Sequence, residues 1–384
     1  MELKSGLSLA EICRELGLDP QFLVDLAQNA PAYYSTFDRR KRSGGVRPIA
    51  ASQGSLKRTQ RLILDGLLAK LSMPAHVHGC VKGRSAVTNA EKHVNQEVVI
   101  NMDLSSFFGS ISLPRVKQLL LRLLDCDDNA AQMLAQLLTF NNQLPQGAPT
   151  SPALANLEAL PMDDQIMQIC REGVGENQFA YSRYVDDITM SGASALVELI
   201  PKIKTAIEGC GFNVNGNKTR ILRQSTRQSV TGVVVNKKLN VPKKLIRRLK
   251  QHLYYCQKYG LKAHAEWRGM GPHSMLRQLK GQIGYLNMTQ PDLARTLNYD
   301  LEQFVPQTKP SREELRLRLL KHMIEEDLVA KFSYENTARR AAPAEVFVDA
   351  KGKLCVRAFQ LAPLQGWHTF KLSTIRRLKV HRLS

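Results

Sequence analysis

Phe179-Ala-Tyr-Ser-Arg-Tyr-Val-Asp-Asp-Ile-Thr-Met190 is the stretch on which the reading of this chain turns. Phe179 to Tyr184 and Ile188 to Met190 both suit β-strands, so Asp186 and Asp187 fall at the tip of a hairpin between them. Adjacent carboxylates repel unless a cation neutralises them. A third, Asp103, follows the apolar run Val98 to Met102, a spacing that predicts a position at the end of a neighbouring central strand. Three converging carboxylates suit a two-metal site, in which one ion activates an attacking hydroxyl and the other steadies a leaving pyrophosphate, ~3.5–4 Å apart. Hard oxygen ligands favour Mg²⁺, with Mn²⁺ as a substitute. The competing reading is a polar turn, and the chain carries two comparators: Asp127-Asp128 and Asp163-Asp164 lie in or beside helical stretches.

Composition narrows the partner. The 384 residues are 43% hydrophobic, ordinary for a chain that buries a core, while 54 Lys and Arg against 34 Asp and Glu leave a formal charge of +20. Such an excess points to a polyanion, and clustered cations bind nucleic acid by displacing its condensed counterions. An anionic membrane is the rival. Against it, no apolar run approaches the ~18 residues of a spanning helix, and Met1 to Arg14 carries charges where a signal peptide needs an apolar region. Seven scattered cysteines without a Cys-x-x-Cys pair suggest neither a disulfide framework nor a zinc knuckle, and the expectation is a reducing cytoplasm.

Outward from the hairpin, strands and helices alternate. Apolar residues from Leu7 to Gln28 give two short helices around Gly17, and Asp38 to Arg47 reads as a basic hairpin with a Gly-Gly turn. Leu56 to Leu71 is a periodic helix, Glu97 to Met102 a strand, and Val116 to Leu138 helical. Helices follow after Thr150 and over Ala195 to Gly209, with a short strand at Phe212 to Val214. This is a mixed α/β pattern. Beyond Pro242 come basic amphipathic helices: Lys243, Lys244, Arg247, Arg248 and Lys250, then Tyr254, Tyr255 and Tyr259, then a helix around Leu276 to Leu286. A Pro-containing break at 305–311 precedes a tail that begins helical at 313–328 and ends in short strands with a turn at Asp349 to Gly352.

Taken in order, the segments of residues 35 to 305 resemble the reverse transcriptase family, most closely the bacterial retron enzymes. Asp103-Leu-Ser-Ser-Phe-Phe-Gly-Ser-Ile111 is similar to the family's first carboxylate motif and Leu144 to Asn156 to its nucleotide-site motif. Tyr184-Val-Asp-Asp187 is similar to the second carboxylate motif, Gly211 to Leu222 to the motif after it, and Gly44 to Ile49 to the fingers hairpin. The resemblance implies a right-hand polymerase. Its α/β palm and fingers would span 35–240, after an N-terminal helical segment (1–34), with a helical thumb at 241–306 and a small, partly β extension at 312–384. The reaction implied is RNA-directed DNA synthesis, with metal at Asp103, Leu104, Asp186 and Asp187. Lys41, Arg42, Arg47, Phe108, Gln146 and Gly147 would bind the incoming dNTP.

Each assignment has a physical counterpart and a plainer alternative. Arg47, with Lys41 and Arg42, suits a triphosphate; the alternative is solvated loop charge. Phe108 would pack beneath the sugar and exclude a 2′-hydroxyl, although a core Phe is the alternative and Phe107 shares the ambiguity. The small residues around Gln146 and Gly147 let backbone approach a nucleotide, or simply make a turn. Lys218 is a general acid for the departing pyrophosphate, or a surface lysine.

Asn89 to His93 resembles the retron Asn-Ala-x-x-His element, and Val230, Thr231 and Gly232 the Val-Thr-Gly element. These imply contact with a structured noncoding RNA and priming from its 2′-hydroxyl, giving a branched RNA–DNA hybrid. Asn89, His93, Val230, Thr231, Gly232, Lys243, Lys244, Arg247, Arg248, Lys250 and Tyr254 are the expected RNA contacts. A separate effector protein and a role in antiphage defence are implied with them. The rivals are another bacterial reverse transcriptase, group II intron-like or unassociated, and an inactive RNA-binding scaffold. Residues beyond 312 loosely resemble a WYL-type domain, without its naming tripeptide at Leu354-Cys355-Val356.

Overall fold

In the computed structural model, which describes residues 7–40, 44–304, 312–349 and 352–381, two units appear: Met1–Phe304 and Val305–Ser384. The break expected at 305–311 lies outside the described residues, as do Lys41 and Arg42. The first three expected segments therefore share one unit.

Local chemistry starts the chain. Helix α1 (Leu9–Leu16) is capped by Ser8, whose side chain and that of Glu11 satisfy each other's backbone N–H, and Gly17 at φ 66° ends it. Asp19 accepts from Phe22 N at 2.8 Å to start α2 (Pro20–Gln28). Strands β1 (Tyr34–Arg40) and β2 (Val46–Ser52) pair antiparallel from Tyr34 opposite Ser52 to Arg40 opposite Val46. Helix α3 (Gly54–Gly66) stops earlier than its periodicity suggests, continuing as a 3₁₀ turn at Leu68–Lys70. A short α4 (Ala86–Glu91) follows.

The central sheet is built on β3 (Val98–Ser105). Its helices are α5 (Leu113–Leu124), α6 (Asp128–Leu138), α7 (Ser151–Glu158), α8 (Leu160–Val174) and α9 (Ile200–Gly209). Its other strands are β4 (Phe179–Tyr184), β5 (Asp187–Gly192), β6 (Asn213–Val214) and β7 (Arg220–Arg223). Strand order is β4-β5-β3-β6, with β7 also on β3, and every pairing is antiparallel. Val98, Ile100, Met102 and Leu104 enter the main core, while Val99 enters a smaller cluster with Val230, Val233 and Val235. Both faces of β3 are covered, which explains a continuous apolar run rather than an alternating one. The helix expected over 116–138 is two: Asp125 adopts φ 47°, and Asp127 accepts from Ala130 N at 2.7 Å to cap α6.

After the hairpin β8 (Ser229–Val230) and β9 (Val233–Val234), four helices share a separate core that includes Leu249, Leu253, Met275, Leu279, Leu297 and Leu301. They are α10 (Lys243–Tyr259), α11 (Leu261–Trp267), α12 (Pro272–Asn287) and α13 (Pro291–Glu302). The second unit contains α14 (Arg312–Glu325) and strands β10 (Val329–Tyr334), β11 (Thr337–Val348), β12 (Leu354–Ala362), β13 (Gly366–Lys371) and β14 (Arg376–His381). They form one antiparallel sheet in the order β13-β12-β11-β10-β14. At 12 and 9 residues, β11 and β12 are longer than the short strands expected there.

One joint corrects a sequence expectation. Asn89, His93 and Val230, expected to touch RNA, are fully buried. Val230 packs with Val87 and Ala90 of α4, while Thr231 (φ 46°) and Gly232 (φ 88°) form the two-residue turn between β8 and β9. Thr231 donates its hydroxyl to Ala86 O at 3.1 Å, so the two elements are halves of one packed joint, with only Gly232 well exposed. His93 bonds Ser191 Oγ and Ser182 Oγ, both at 2.7 Å, and burial lowers its pKa to about 3.

A neutral buried imidazole stabilises the fold fully above the unfolded value of 6.5. That stability is lost as pH falls from there toward about 3, because the unfolded chain then binds the extra proton. The slope from His93 is at most ~1.4 kcal/mol per pH unit. Urea unfolding between pH 7.5 and pH 4 should show a shallower acid loss in His93→Gln; equal slopes would rule His93 out as the cause.

Candidate active site

The turn at the β4–β5 hairpin is strained. Tyr184 pairs with Asp187, which leaves Val185 and Asp186 as the two loop residues, and Val185 sits at φ 59°. A β-branched residue in that region is an outlier costing ~1–3 kcal/mol. Two bonds hold it: Val185 O accepts from Arg183 Nη1 at 3.1 Å, and Asp186 O from Leu104 N at 2.9 Å. Gly79 presses so closely that a Cβ there would lie 2.5 Å from Val185 N. The chain at 76–78 runs beside β4, with Arg183 N donating to His76 O and His78 N to Arg183 O.

Beneath the turn, Arg183 and Asp163 are both completely buried. Nε and Nη2 of Arg183 reach the Asp163 carboxylate at 2.8 to 3.1 Å; Nη1 bonds Asn156 Oδ1 at 2.9 Å and Nη2 bonds Asn156 O at 3.0 Å. Tyr181 donates its hydroxyl to Asp163 at 2.6 Å. Burial alone would raise the Asp163 carboxyl, but the Arg183 charge and these hydrogen bonds bring it below its usual value. Asp163 is therefore no solvated helix residue. The sequence comparator is part of the hairpin's foundation, and sequence spacing alone missed it.

Above this foundation, Asp103 stands directly opposite Asp187 in the β3–β5 register. It lies near the end of β3, two residues before Ser105, as the apolar run ahead of it led one to expect. Lys218, closing a 3₁₀ turn at Gly216–Lys218, bonds both Asp103 oxygens at 2.7 and 2.9 Å. Crowding by protein atoms raises Asp187 to about 6 although it keeps contact with solvent, and the charges of Asp186 and Asp103 add to the rise. Asp186 is raised too, by burial first and by Asp103 next. Burial is the larger cause of both shifts, and the neighbouring carboxylates add to it. Among the described residues no three His, Cys, Asp or Glu side chains form a ready metal cluster, and Asp103 is taken up by Lys218. The donor chemistry nevertheless fits a divalent cation: hard oxygens, close together, short of positive charge.

A cleft of about 940 Å³ opens over Asp103, Leu104 and Asp186, and Arg47, Phe108 and Gln146 line it as well. Arg47 lowers the Asp186 carboxyl without overcoming the rise. Phe107 and Phe108 both line this cleft, but Phe107 is 2% exposed and packs on Phe212, whereas Phe108 is half-buried and the more accessible of the two. Gly147 has a packing reason of its own. At φ 142°, a Cβ there would meet Ala50 O at 2.6 Å, so the close approach it permits is to β2. Gln146 O accepts from Ala50 N at 3.0 Å, and its buried Oε1 has no partner among the described residues.

Lys243, Arg247, Lys250 and Tyr254 line up along one exposed stripe of α10, with Lys244 and Arg248 beside it. Leu249, Leu253 and Cys256 face inward. Lys258 lies 5.3 Å from the ring centre of Tyr259 and 6.0 Å from that of Tyr254, a pair of cation–π contacts that the sequence reading did not single out.

Asp163→Asn strands a buried guanidinium and should cost ~3–5 kcal/mol, read by urea unfolding of the full chain. Replacing Arg183 and Asp163 together by Met and Leu should recover most of that stability. A loss below ~1 kcal/mol in Asp163→Asn, the range of an exposed pair, would show that the pair does not carry the hairpin.

Comparison with known proteins agrees with this geometry. Residues 39–235 match the family described as reverse transcriptase (RNA-dependent DNA polymerase). The retron Mx65 reverse transcriptase of Myxococcus xanthus is 35% identical over 285 residues, 69% of this chain and 63% of that protein. The retron Mx162 reverse transcriptase of the same organism is 32% identical over 333 residues, 77% and 66%. The retron Ec86 reverse transcriptase of Escherichia coli is 29% identical over 228 residues, 58% and 70%. The chain thus spans just under two thirds of the length of the Myxococcus relatives. No helix among the described residues is long and apolar enough to cross a membrane. The matched segment runs from the β1–β2 hairpin through β3, both strands of the carboxylate hairpin and Lys218 to the β8–β9 turn, and on that footing the chain belongs to the reverse transcriptase (RNA-dependent DNA polymerase) family.

Proposed function

We propose that the chain is the RNA-directed DNA polymerase of a retron. It copies a structured noncoding RNA, starting from a 2′-hydroxyl of that RNA, into a branched RNA–DNA hybrid. The observation that carries this reading is one cleft holding Asp103 and Asp186 together with Arg47 and Phe108. Retron-named relatives support the finer assignment.

The reaction joins a hydroxyl oxygen to the α-phosphorus of a dNTP and breaks the bond to pyrophosphate, which leaves. Two divalent ions, magnesium by ligand chemistry, would be held at Asp103, Leu104, Asp186 and Asp187 and would supply the charge that activates the hydroxyl and offsets the leaving group. Arg47 grips the triphosphate from β2, with Lys41 and Arg42 nearby in sequence, and its planar fork suits paired phosphate oxygens. Phe108 closes the space a 2′-hydroxyl would need. Gln146 offers a side-chain amide whose oxygen no protein group occupies among the described residues. Lys218, held on Asp103 at 2.7 Å, is placed to act as the general acid that protonates pyrophosphate. The α10 stripe of Lys243, Arg247 and Lys250 grips the template–product duplex through its phosphates, with Lys244, Arg248 and Tyr254 alongside. Thr231 and Gly232 are the accessible part of the joint offered to the noncoding RNA. A separate effector protein completes the defence system.

With an RNA template, primer, dNTPs and Mg²⁺, the protein should make DNA. Asp186→Asn should lower the rate by ~10³-fold, the kinetic equivalent of several kcal/mol of lost charge stabilisation. Unchanged synthesis would overturn the site. Phe108→Ala should raise the use of rNTPs relative to dNTPs by ~10 to 200-fold, the usual range for a steric pocket. Nucleic acid copurifying from the native host should contain a 2′-branched RNA–DNA species; unbranched RNA alone would argue against priming from a 2′-hydroxyl.

A further inference from the structure

The five-stranded sheet of the second unit has two unlike faces. On one, Ala330, Phe332, Val356, Ala358 and Phe370 bury themselves with Leu320 and Met323 of α14. Side chains alternate across a strand, so the residues between these point to the other face. There Lys331, Arg357 and Lys371 are exposed.

Strand register arranges that face in rows. Arg340 of β11 is directly opposite Lys331 of β10, and Lys331 is directly opposite Lys379 of β14. Three like charges therefore stand side by side across three strands, an arrangement that is unfavourable in an isolated sheet. Among the described residues none of Lys331, Arg340, Arg357, Lys371 and Lys379 makes an ion pair. On the neighbouring strands Phe359 is opposite Trp367, and their rings meet edge to face at 5.6 Å. Arg357 lies 5.2 Å from the centre of the Trp367 ring. Trp367 is 57% exposed. Glu345, opposite Arg357, and Asp349, whose carboxylate lies 3.9 Å from Sγ of Cys355 opposite Lys371, are acidic residues on this face.

Repelling cations placed beside an exposed aromatic pair suit one kind of occupant. The phosphates of a nucleic acid neutralise the row, and an unpaired base stacks on the indole, as in proteins that hold single strands on a sheet. A duplex keeps its base faces covered and cannot use Trp367. Under the proposed reaction, which this inference builds on, DNA leaves paired to its template, so the strand that stays unpaired is RNA not yet copied. We infer that the face formed by Lys331, Arg340, Arg357, Trp367, Lys371 and Lys379 is a binding surface for single-stranded RNA.

The chain has two tryptophans, Trp267 and Trp367. In the full-length Trp267→Phe protein, the remaining indole reports on this face alone. Titration with an unstructured RNA of about 20 nucleotides should quench it saturably. Adding Arg357→Ala and Lys371→Ala should weaken that binding about 10-fold and lower the slope of log affinity against log salt by ~0.7 for each lost phosphate contact. DNA synthesis on a short preformed primer–template should be unaffected by these two changes. The inference is overturned if Trp367 stays unquenched while the same RNA, followed by anisotropy, binds the protein. It is also overturned if duplex RNA quenches equally, or if single-stranded DNA of the same sequence binds more tightly. Repeating the titration on the Asp186→Asn background separates this surface from the polymerase reading: quenching should persist there whatever happens to DNA synthesis.

Discussion

Arg183 and Asp163 are removed from solvent together, and much of the carboxylate hairpin's shape rests on that pair. A buried ion pair is a poor way to gain stability, since apolar residues of similar volume often do as well or better. What it supplies is direction. The guanidinium is a rigid fork, and here its prongs end on the Asp163 carboxylate, the side chain and carbonyl of Asn156, and the carbonyl of Val185. Those contacts fix α7, α8 and the hairpin turn relative to one another. Val185 is thereby kept at a positive φ that its branched side chain disfavours, and Asp186, the next residue, faces the cleft rather than relaxing along the strand.

Charge above the turn is deliberately unbalanced. Asp186 and Asp187 are both harder to ionise than ordinary aspartates, while Lys218 is committed to Asp103 and Arg47 offsets only part of the field at Asp186. A site meant only for stability would pair these groups off. A surplus of carboxylate with hard oxygens is instead what attracts a divalent cation, and enzymes of this family work with such ions.

Legibility in the sequence followed how local each signal was. The β3 run, the hairpin around Asp186 and the caps of α1 and α6 depend on neighbours a few residues away, so periodicity and cap chemistry reveal them. Asp163 lies 20 residues from Arg183, and nothing in an amphipathic helix says that one of its carboxylates will be the buried anchor of a distant strand. Phe107 and Phe108 are adjacent residues of one type, and only packing on Phe212 shows which of them is the more buried. His93 was expected to contact RNA from its local motif, which could not show that its two serine partners sit 89 and 98 positions away on β4 and β5. Helix α11 was missed because seven residues make too short a window for periodicity; α13 was missed although Leu293, Ala294, Leu297 and Leu301 recur at helical spacing.

The basic excess falls into two physical kinds. Arg183 and Arg115 are spent inside the first unit, the first on Asp163 and the second on Glu158 and on the carbonyls of Cys210 and Gly211. These cations are structural, and a change in salt should barely touch a buried pair. A second group stands beside cations of its own sign, along one stripe of α10 and across three strands of the second unit's sheet. Each such row is mildly self-repulsive, and repulsion of that kind is screened by salt and removed by phosphate. The same +20 that looked like one undifferentiated number is therefore unevenly placed: some cations are paired with carboxylates, and others are held beside their own sign, where the phosphates of a polyanion would supply the counter-charge.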